Sequence, residues 1–211
     1  MDNTVTIVIP TIQVRPDLLQ RCVDECGRTM RADDNLLVMS GGTFAENCND
    51  GAALTQTPYI IFLNDDTKPD QDDWIDRLLD PFDDPNVGIV GCRLIYPDGR
   101  LQHTGVYFDN DQTGIVAHNR TIDTPAGPVD AVTGACLAIR TDIFRSQNGF
   151  DEAFRNGYED IDLCLRVRQA GHTIYYTPDC TIIHHESQSG PARWANTQDN
   201  IRLLQDTYTL S

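Results

Sequence analysis

Three short apolar segments, each halted by a polar cluster, constrain this chain more than any other feature. Thr4 to Ile9 is a β-branched run stopped by Pro10. Leu36 to Met39 is stopped by Ser40-Gly41-Gly42, and Tyr59 to Leu63 by Asn64-Asp65-Asp66. Between these runs the apolar residues recur at helical spacing. Pro16 stands at a helix start, followed by Leu18, Leu19, Cys22, Val23 and Cys26. Ala45 to Thr57 reads as a second helix, weakened by Gly51, which costs about 1 kcal/mol relative to alanine. Trp74, Ile75, Leu78 and Leu79 mark a third, ending near Pro81. Strands alternating with helices in this way predict an α/β fold, with a mixed, mostly parallel central sheet flanked by helices. Ligands of such sheets bind outside the carboxyl ends of the strands. Pro10-Thr11, Ser40 and Asn64-Asp65-Asp66 are thereby aimed at one edge.

The second half is less regular. Val87 to Tyr96 reads as a strand with a turn at Pro97-Asp98-Gly99, and Val129 to Ile139 carries strand-like stretches around Gly134. Thr141 has the character of an N-cap for a short helix through Phe144. Asp160 to Gln169 is a helix stopped at Gly171. Ile174 to Tyr176 and Thr181 to His185 read as two strands, and Ala195 to Tyr208 as a closing helix. No repeat or linker divides the 211 residues, so one domain is expected, its two halves sharing one core.

Charge excludes some partners. At −16 the chain would be repelled by nucleic acid or an anionic membrane surface. No apolar run reaches the roughly 18 residues of a membrane helix, and no signal peptide is evident, so a soluble cytoplasmic protein is expected. The seven cysteines are scattered, without a Cys-x-x-Cys pair. They read as small buried thiols, not as a zinc ribbon or a disulfide framework.

Three polar clusters carry possible chemistry. In Asn64-Asp65-Asp66-Thr67 two adjacent carboxylates repel each other unless a cation or hydrogen bonds compensate. A hard cation such as Mg²⁺ or Mn²⁺ takes oxygen ligands and often completes its shell with substrate phosphates. Strand alternation would turn Asn64 and Asp66 one way and Asp65 the other. The same tetrad also suits a solvated turn with a helix cap. Glu159, Asp160 and Asp162 cluster at a helix start, where acids meet the positive end of the dipole; one of them could equally be a general base. His184-His185 ends a strand, with one imidazole on each face and either a backbone-bonding or a metal-ligating role open to it.

Taken together, TIVIPT at 6–11, NDGAALTQTPYIIFLNDDT at 49–67, VGIVGCRLIYPDGRLQHTGVYF at 87–108 and the run from Val129 to Ser187 resemble the family-2 type of glycosyltransferase. The resemblance implies the GT-A fold, with residues 1–100 as its nucleotide-sugar-binding half and 101–211 as its acceptor and catalytic half. It also implies a nucleotide-sugar donor, UDP-linked by first choice, a bound Mn²⁺ or Mg²⁺, and a glycan, glycoconjugate or glycolipid acceptor. Asn64-Asp65-Asp66 falls on the family's Asp-x-Asp motif, with Asp66 as metal ligand and His184 approaching from the far side. Glu159-Asp160 falls on its Glu-Asp motif, with Asp160 the preferred base. Pro10, Thr11, Ser40 and Asn49 would line the nucleotide site, and Gly134 and Ala135 the loop beneath the donor sugar. Two positions depart from the pattern: Asn64 replaces the first Asp, and Ser40 stands where an acid usually holds the base. Asn64 is a variant associated with rhamnosyl-type relatives.

Inversion through a carboxylate base is expected, with retention the runner-up. A sugar nucleotidyltransferase would want glycines in the loop PTIQVRPD, which has none. A non-catalytic glycan-binding module would not need Asp66, Asp160 and His184 together. Arg193-Trp194 is left without a role, Trp194 stacking on a sugar or capping the core.

Overall fold

The computed structural model describes residues 2–111, 114–185 and 195–208. The chain opens with β1 (Val5–Thr11), α1 (Pro16–Thr29), β2 (Asn35–Ser40), α2 (Phe44–Leu54) and β3 (Tyr59–Leu63). Then come β4 (Thr67–Pro69), α3 (Trp74–Leu79), β5 (Val87–Ile95), β6 (Leu101–His103), and the hairpin β7 (Val106–Asp111) and β8 (Gly114–Asn119). It closes with β9 (Gly127–Val129), β10 (Cys136–Arg140), α4 (Thr141–Ser146), α5 (Glu159–Gln169), β11 (Thr173–His184) and α6 (Thr197–Thr207).

The main sheet runs β2-β1-β3-β10-β5-β11-β4, with β6 beside β5 and β9 beside β11. Along that path β1, β2, β3, β5 and β11 point the same way, whereas β10 and β4 run against them. β10 comes from the second half of the chain yet lies between β3 and β5, so strands of both halves share one sheet.

Alternation explains the unbroken apolar runs. On β3, Ile60 and Phe62 face the core formed with α2, α4 and α5, while Tyr59, Ile61 and Leu63 face the core under α1 and α3. Both faces of the strand are covered, so neither can be polar. Phe62 packs against Phe144 and Phe150 with ring centroids 5.0 Å apart in each case. Gly51, an apparent weakness in α2, is there for contact: a Cβ at that position would come within 2.5 Å of Val8. The helix presses on β1 through the missing side chain. All seven cysteines are free and buried, as small core thiols.

Several sequence expectations shift. α2 ends at Leu54, where the Thr55 hydroxyl turns back onto the Gly51 carbonyl at 3.1 Å. Its start carries a capping box, Thr43 with Glu46. Thr141 is the first residue of α4, not its cap; its hydroxyl donates to the Thr57 carbonyl at 2.7 Å. The two expected strands after Gly171 are one strand, β11, with a bulge between Thr177 and Thr181 around Pro178. The stretch around Gly134 divides into β9 and β10, with Gly134 in the loop between. Glu186, Ser187, Arg193 and Trp194 lie outside the described residues.

Candidate active site

The carboxyl ends of β1, β2, β3 and β11 form one rim. β1 and β2 pair in register, bringing Pro10 opposite Met39 and Thr11 opposite Ser40. Pro10 and Thr11 are buried, and Ser40 is exposed at the sheet edge. Asn47 on α2, 2% exposed, braces this corner: its amide bonds both polar backbone atoms of Gly42, at 3.1 Å each.

Asn64 to Thr67 is a turn closed by Thr67 N–H donating to the Asn64 carbonyl at 3.3 Å. The turn splits the two acids. Asp65 faces β1, accepting the Thr11 hydroxyl. Burial pushes the Asp65 carboxyl above its usual range; the Thr11 bond opposes that shift and the neighbouring Asp66 charge adds to it. Asp66 faces β11 instead. It is 7% exposed, and its Oδ1 lies 3.1 Å from His184 Nε2. Close as that is, Asp66 Oδ1 makes no hydrogen bond, so an N–H on that ring atom would not be aligned with it. Asn64 Nδ2 reaches the same imidazole nitrogen at 3.4 Å. His185 donates its backbone N–H to the Asp66 carbonyl at 3.0 Å.

His184 is 5% exposed and held from behind by Gln102 on β6. Gln102 Oε1 is 2.7 Å from His184 Nδ1, and Gln102 Nε2 donates to the His184 carbonyl at 3.2 Å. The next residue, His103, is also buried, and burial pushes its imidazole down to about 4. It stays neutral, with Nδ1 against Asn119 Oδ1 and Nε2 accepting from Thr133 N–H at 3.4 Å. Neither residue carries a periodic signal in the sequence. Only a Gln-His pair placed between two apolar strands hints at a buried polar link.

Thr133 opens the Gly134-Ala135 loop. The Ala135 carbonyl accepts from Asn64 N–H at 3.0 Å, and Gly134 N–H donates to Asp160 Oδ2 at 2.8 Å. Two hydrogen bonds therefore connect the Asn64–Asp66 turn to the start of α5. A Cβ on Gly134 would meet the Phe44 ring at 3.1 Å and Asp160 Cβ at 3.4 Å. That close approach lets the loop reach the carboxylate.

The three acids of α5 have separate roles. Glu159, 6% exposed, accepts the Gly157 N–H at 2.7 Å and stabilises a turn in which Tyr158 has φ 71°. Asp160 is half-buried, and its other oxygen accepts from Ile161 N–H at 2.8 Å. Asp162 is structural: it pairs with Arg166 at 2.6 Å and accepts the Tyr208 hydroxyl, anchoring the chain after α6. Asn49 sits apart from this constellation. Its amide donates to the Phe150 carbonyl at 3.0 Å and to Glu152 at 2.9 Å, and accepts from Phe150 N–H at 2.9 Å. It ties α2 to the loop before α5.

Asp66 and His184 are the pair that could hold a cation. Among the described residues, no group of three or more His, Cys, Asp or Glu forms a complete metal cage. Arg15, at the cap of α1, lies close enough to feel the Asp66 charge, although its main partner is Asp17 at 2.7 Å. No helix among the described residues is long and apolar enough to cross a membrane.

At the strand ends of this α/β sheet an acidic turn, a histidine and a second acid gather. Residues 32–206 match the model of a glycosyltransferase-like family, and the chain belongs to that family. It is 31% identical to the O-antigen biosynthesis protein RfbC of Myxococcus xanthus, over 88% of this chain and 17% of that protein. It is 26% identical to the N-acetylglucosaminyl-diphospho-decaprenol L-rhamnosyltransferase of Mycobacterium tuberculosis, over 62% of this chain and 48% of that one. The chain thus spans less than half the length of these relatives. The solved structure of GalNAc-T7 with UDP, GalNAc and Mn²⁺ superposes with a TM-score of 0.68 at 15% identity, covering 86% of this chain and 43% of the other. That likeness supports the GT-A fold expected from the sequence.

Proposed function

We propose that this chain transfers a sugar from a nucleotide diphosphate donor, UDP-linked by first choice, to a hydroxyl of a glycan, glycoconjugate or glycolipid acceptor, with inversion. The observation that carries the reading is the orphaned Asp66 oxygen beside His184 at the carboxyl edge of the sheet. A buried carboxylate oxygen without a donor is costly, by about 1–3 kcal/mol, unless a ligand compensates it. Its chemistry fits a divalent cation. Asp66 Oδ1 and His184 Nε2, 3.1 Å apart, are close enough that both would hold one ion. The carboxylate suits Mn²⁺ or Mg²⁺, the imidazole favours the transition metal Mn²⁺ of the two, and such ions commonly take their remaining ligands from water and phosphate.

In this reading Asp66 and His184 hold the cation, with Asn64 completing its surroundings. The cation, when bound, neutralises negative charge on the departing diphosphate. Thr11, Pro10 and Ser40 line the nucleotide end, and Asp65 is fixed there by the Thr11 hydroxyl. Gly134 and Ala135 form the floor beneath the donor sugar. Asp160 takes the proton from the acceptor hydroxyl, turning a poor nucleophile into a competent one. Its greater exposure than Glu159 supports that choice, because a base must reach the acceptor. Two backbone N–H groups keep Asp160 oriented.

A thermal-shift panel of UDP-, GDP-, CMP- and dTDP-sugars, each with and without Mn²⁺, tests the reading. Stabilisation by a UDP-sugar that requires Mn²⁺ is expected. Equal response with EDTA would remove the cation from the proposal, and response to another nucleotide alone would replace the donor.

A further inference from the structure

His184 can present a lone pair to a cation only from an unprotonated Nε2, and a neutral imidazole carries its proton on either nitrogen. The hydrogen-bond network around Gln102 decides between them without reference to hydrogen positions. The His184 carbonyl oxygen can only accept, so the Gln102 atom 3.2 Å from it must be the donor nitrogen. The other amide atom, 2.7 Å from His184 Nδ1, is then the oxygen, which can only accept. Flipping the amide would set two acceptors face to face, so the assignment has one solution. Nδ1 therefore carries a proton, and in the neutral ring Nε2 is bare.

Both partners are about 5% exposed, so no bulk water competes for these bonds. On the far side of the ring the pattern agrees. Asn64 Nδ2, a donor, is the hydrogen-bonding neighbour of Nε2 at 3.4 Å, and Asp66 Oδ1 stands at 3.1 Å without a hydrogen bond. An electron-rich nitrogen and an unpaired carboxylate oxygen converge on the same space.

We infer that Gln102 is a positioning residue: one side-chain amide grips His184 at Nδ1 and at its carbonyl, fixes the Nδ1–H tautomer, and leaves Nε2 as a lone-pair donor beside Asp66 for a divalent cation. The cation in that statement rests on the proposed function; the tautomer does not. Outer partners that orient a metal-binding histidine typically change metal affinity by about 10- to 100-fold when removed. β6 spans only Leu101–His103, whose ends pair with Ile95 and Leu94 of β5; Gln102 stands at the irregularity between them, its carbonyl accepting from Asn119 Nδ2 at 2.9 Å.

The test combines ¹⁵N-histidine NMR of the full chain at pH 8 without metal with calorimetry of Mn²⁺ and UDP. Wild-type His184 is expected as the neutral Nδ1–H tautomer. Gln102→Met, close in volume but lacking both polar atoms, is expected to lose that preference. It should also weaken Mn²⁺-dependent UDP binding by about 10- to 100-fold, while UDP binding in EDTA stays at the wild-type level. Gln102→Glu retains an acceptor for Nδ1–H and is expected to restore both the tautomer and at least part of the Mn²⁺ affinity. Wild-type His184 protonated at Nε2, or Gln102→Met with the wild-type tautomer, overturns the assignment. A wild-type chain with the Nδ1–H tautomer and no Mn²⁺ response overturns the metal reading and leaves the tautomer control by Gln102 supported.

Discussion

Asp66 and Asp160 are both partly hidden carboxylates at the ends of secondary structure, yet the chain treats them oppositely. Asp160 has one oxygen on Gly134 N–H and the other on Ile161 N–H. Asp66 has an oxygen on nothing, beside an imidazole nitrogen that faces it. A carboxylate that accepts two backbone N–H bonds has its charge met by the protein and its oxygens fixed in place. One left with an unmatched oxygen has its charge reserved for something that arrives later. On the proposed function, that difference is what would separate the base from the ligand.

The largest effect should come from the satisfied acid. Asp160→Asn can still accept from Gly134 N–H through its amide oxygen, so the loop and donor site should survive. It cannot take a proton. Transfer should fall by about 10²- to 10⁴-fold, the usual contribution of a general base, with UDP–Mn²⁺ affinity changed by less than about threefold. Steady-state transfer beside calorimetry reads both. Retained transfer would move the base to Glu159 or favour a retaining reaction.

The unsatisfied acid should show the reverse split. Asp66→Ala removes one of the two side chains that could hold the cation, and Mn²⁺-dependent UDP binding should drop by about 100-fold, roughly 2.7 kcal/mol. Binding in EDTA should be unchanged. Unaltered Mn²⁺ dependence in this variant would end the ligand assignment of Asp66 and erase the contrast with Asp160.

Parts of this arrangement were open to sequence reasoning because they are local. Buried strands covered on both faces must be continuously apolar, so β1 and β3 announce themselves, and the polar residues that stop them must lie at the rim. Asn64 and Asp66 do meet one imidazole, although strand alternation is the wrong route to that result. The segment is a hydrogen-bonded turn, and the turn sends Asp65 to Thr11. What stayed hidden depends on partners far along the chain. Gln102 bonds a residue 82 positions away and sits on a strand too short to have a period. Asn49 looked like part of the nucleotide site from its place in a matching segment. Its partners, Phe150 and Glu152, lie about a hundred residues on and make it a strut. Likewise the acids of α5 are indistinguishable as a cluster at a helix start. Only the fold gives Asp162 to Arg166 and Tyr208 while leaving Asp160 at the loop.

The smallest effect is the sharpest test of the comparison, because it concerns the metal-free protein. An unpaired buried oxygen costs about 1–3 kcal/mol. In the same turn the Asp66 charge also raises the Asp65 carboxyl. Asp66→Asn removes that charge and can place an amide N–H beside the bare His184 Nε2. The variant should therefore be more stable than wild type in EDTA by about 1 kcal/mol, a rise of roughly 2–4 °C in Tm for a chain of this size. Asp160→Asn should lose at least about 1 kcal/mol in the same buffer, because its single amide oxygen keeps one backbone N–H in a neutral bond while its NH2 cannot accept the other. With Mn²⁺ and UDP present, the order of wild type and Asp66→Asn should invert, since only the wild type gains full ligand stabilisation. Differential scanning calorimetry in the two buffers measures all of these terms. If both substitutions lower Tm in EDTA, Asp66 is held by the protein as firmly as Asp160, and the two acids cannot be told apart by how their charges are met.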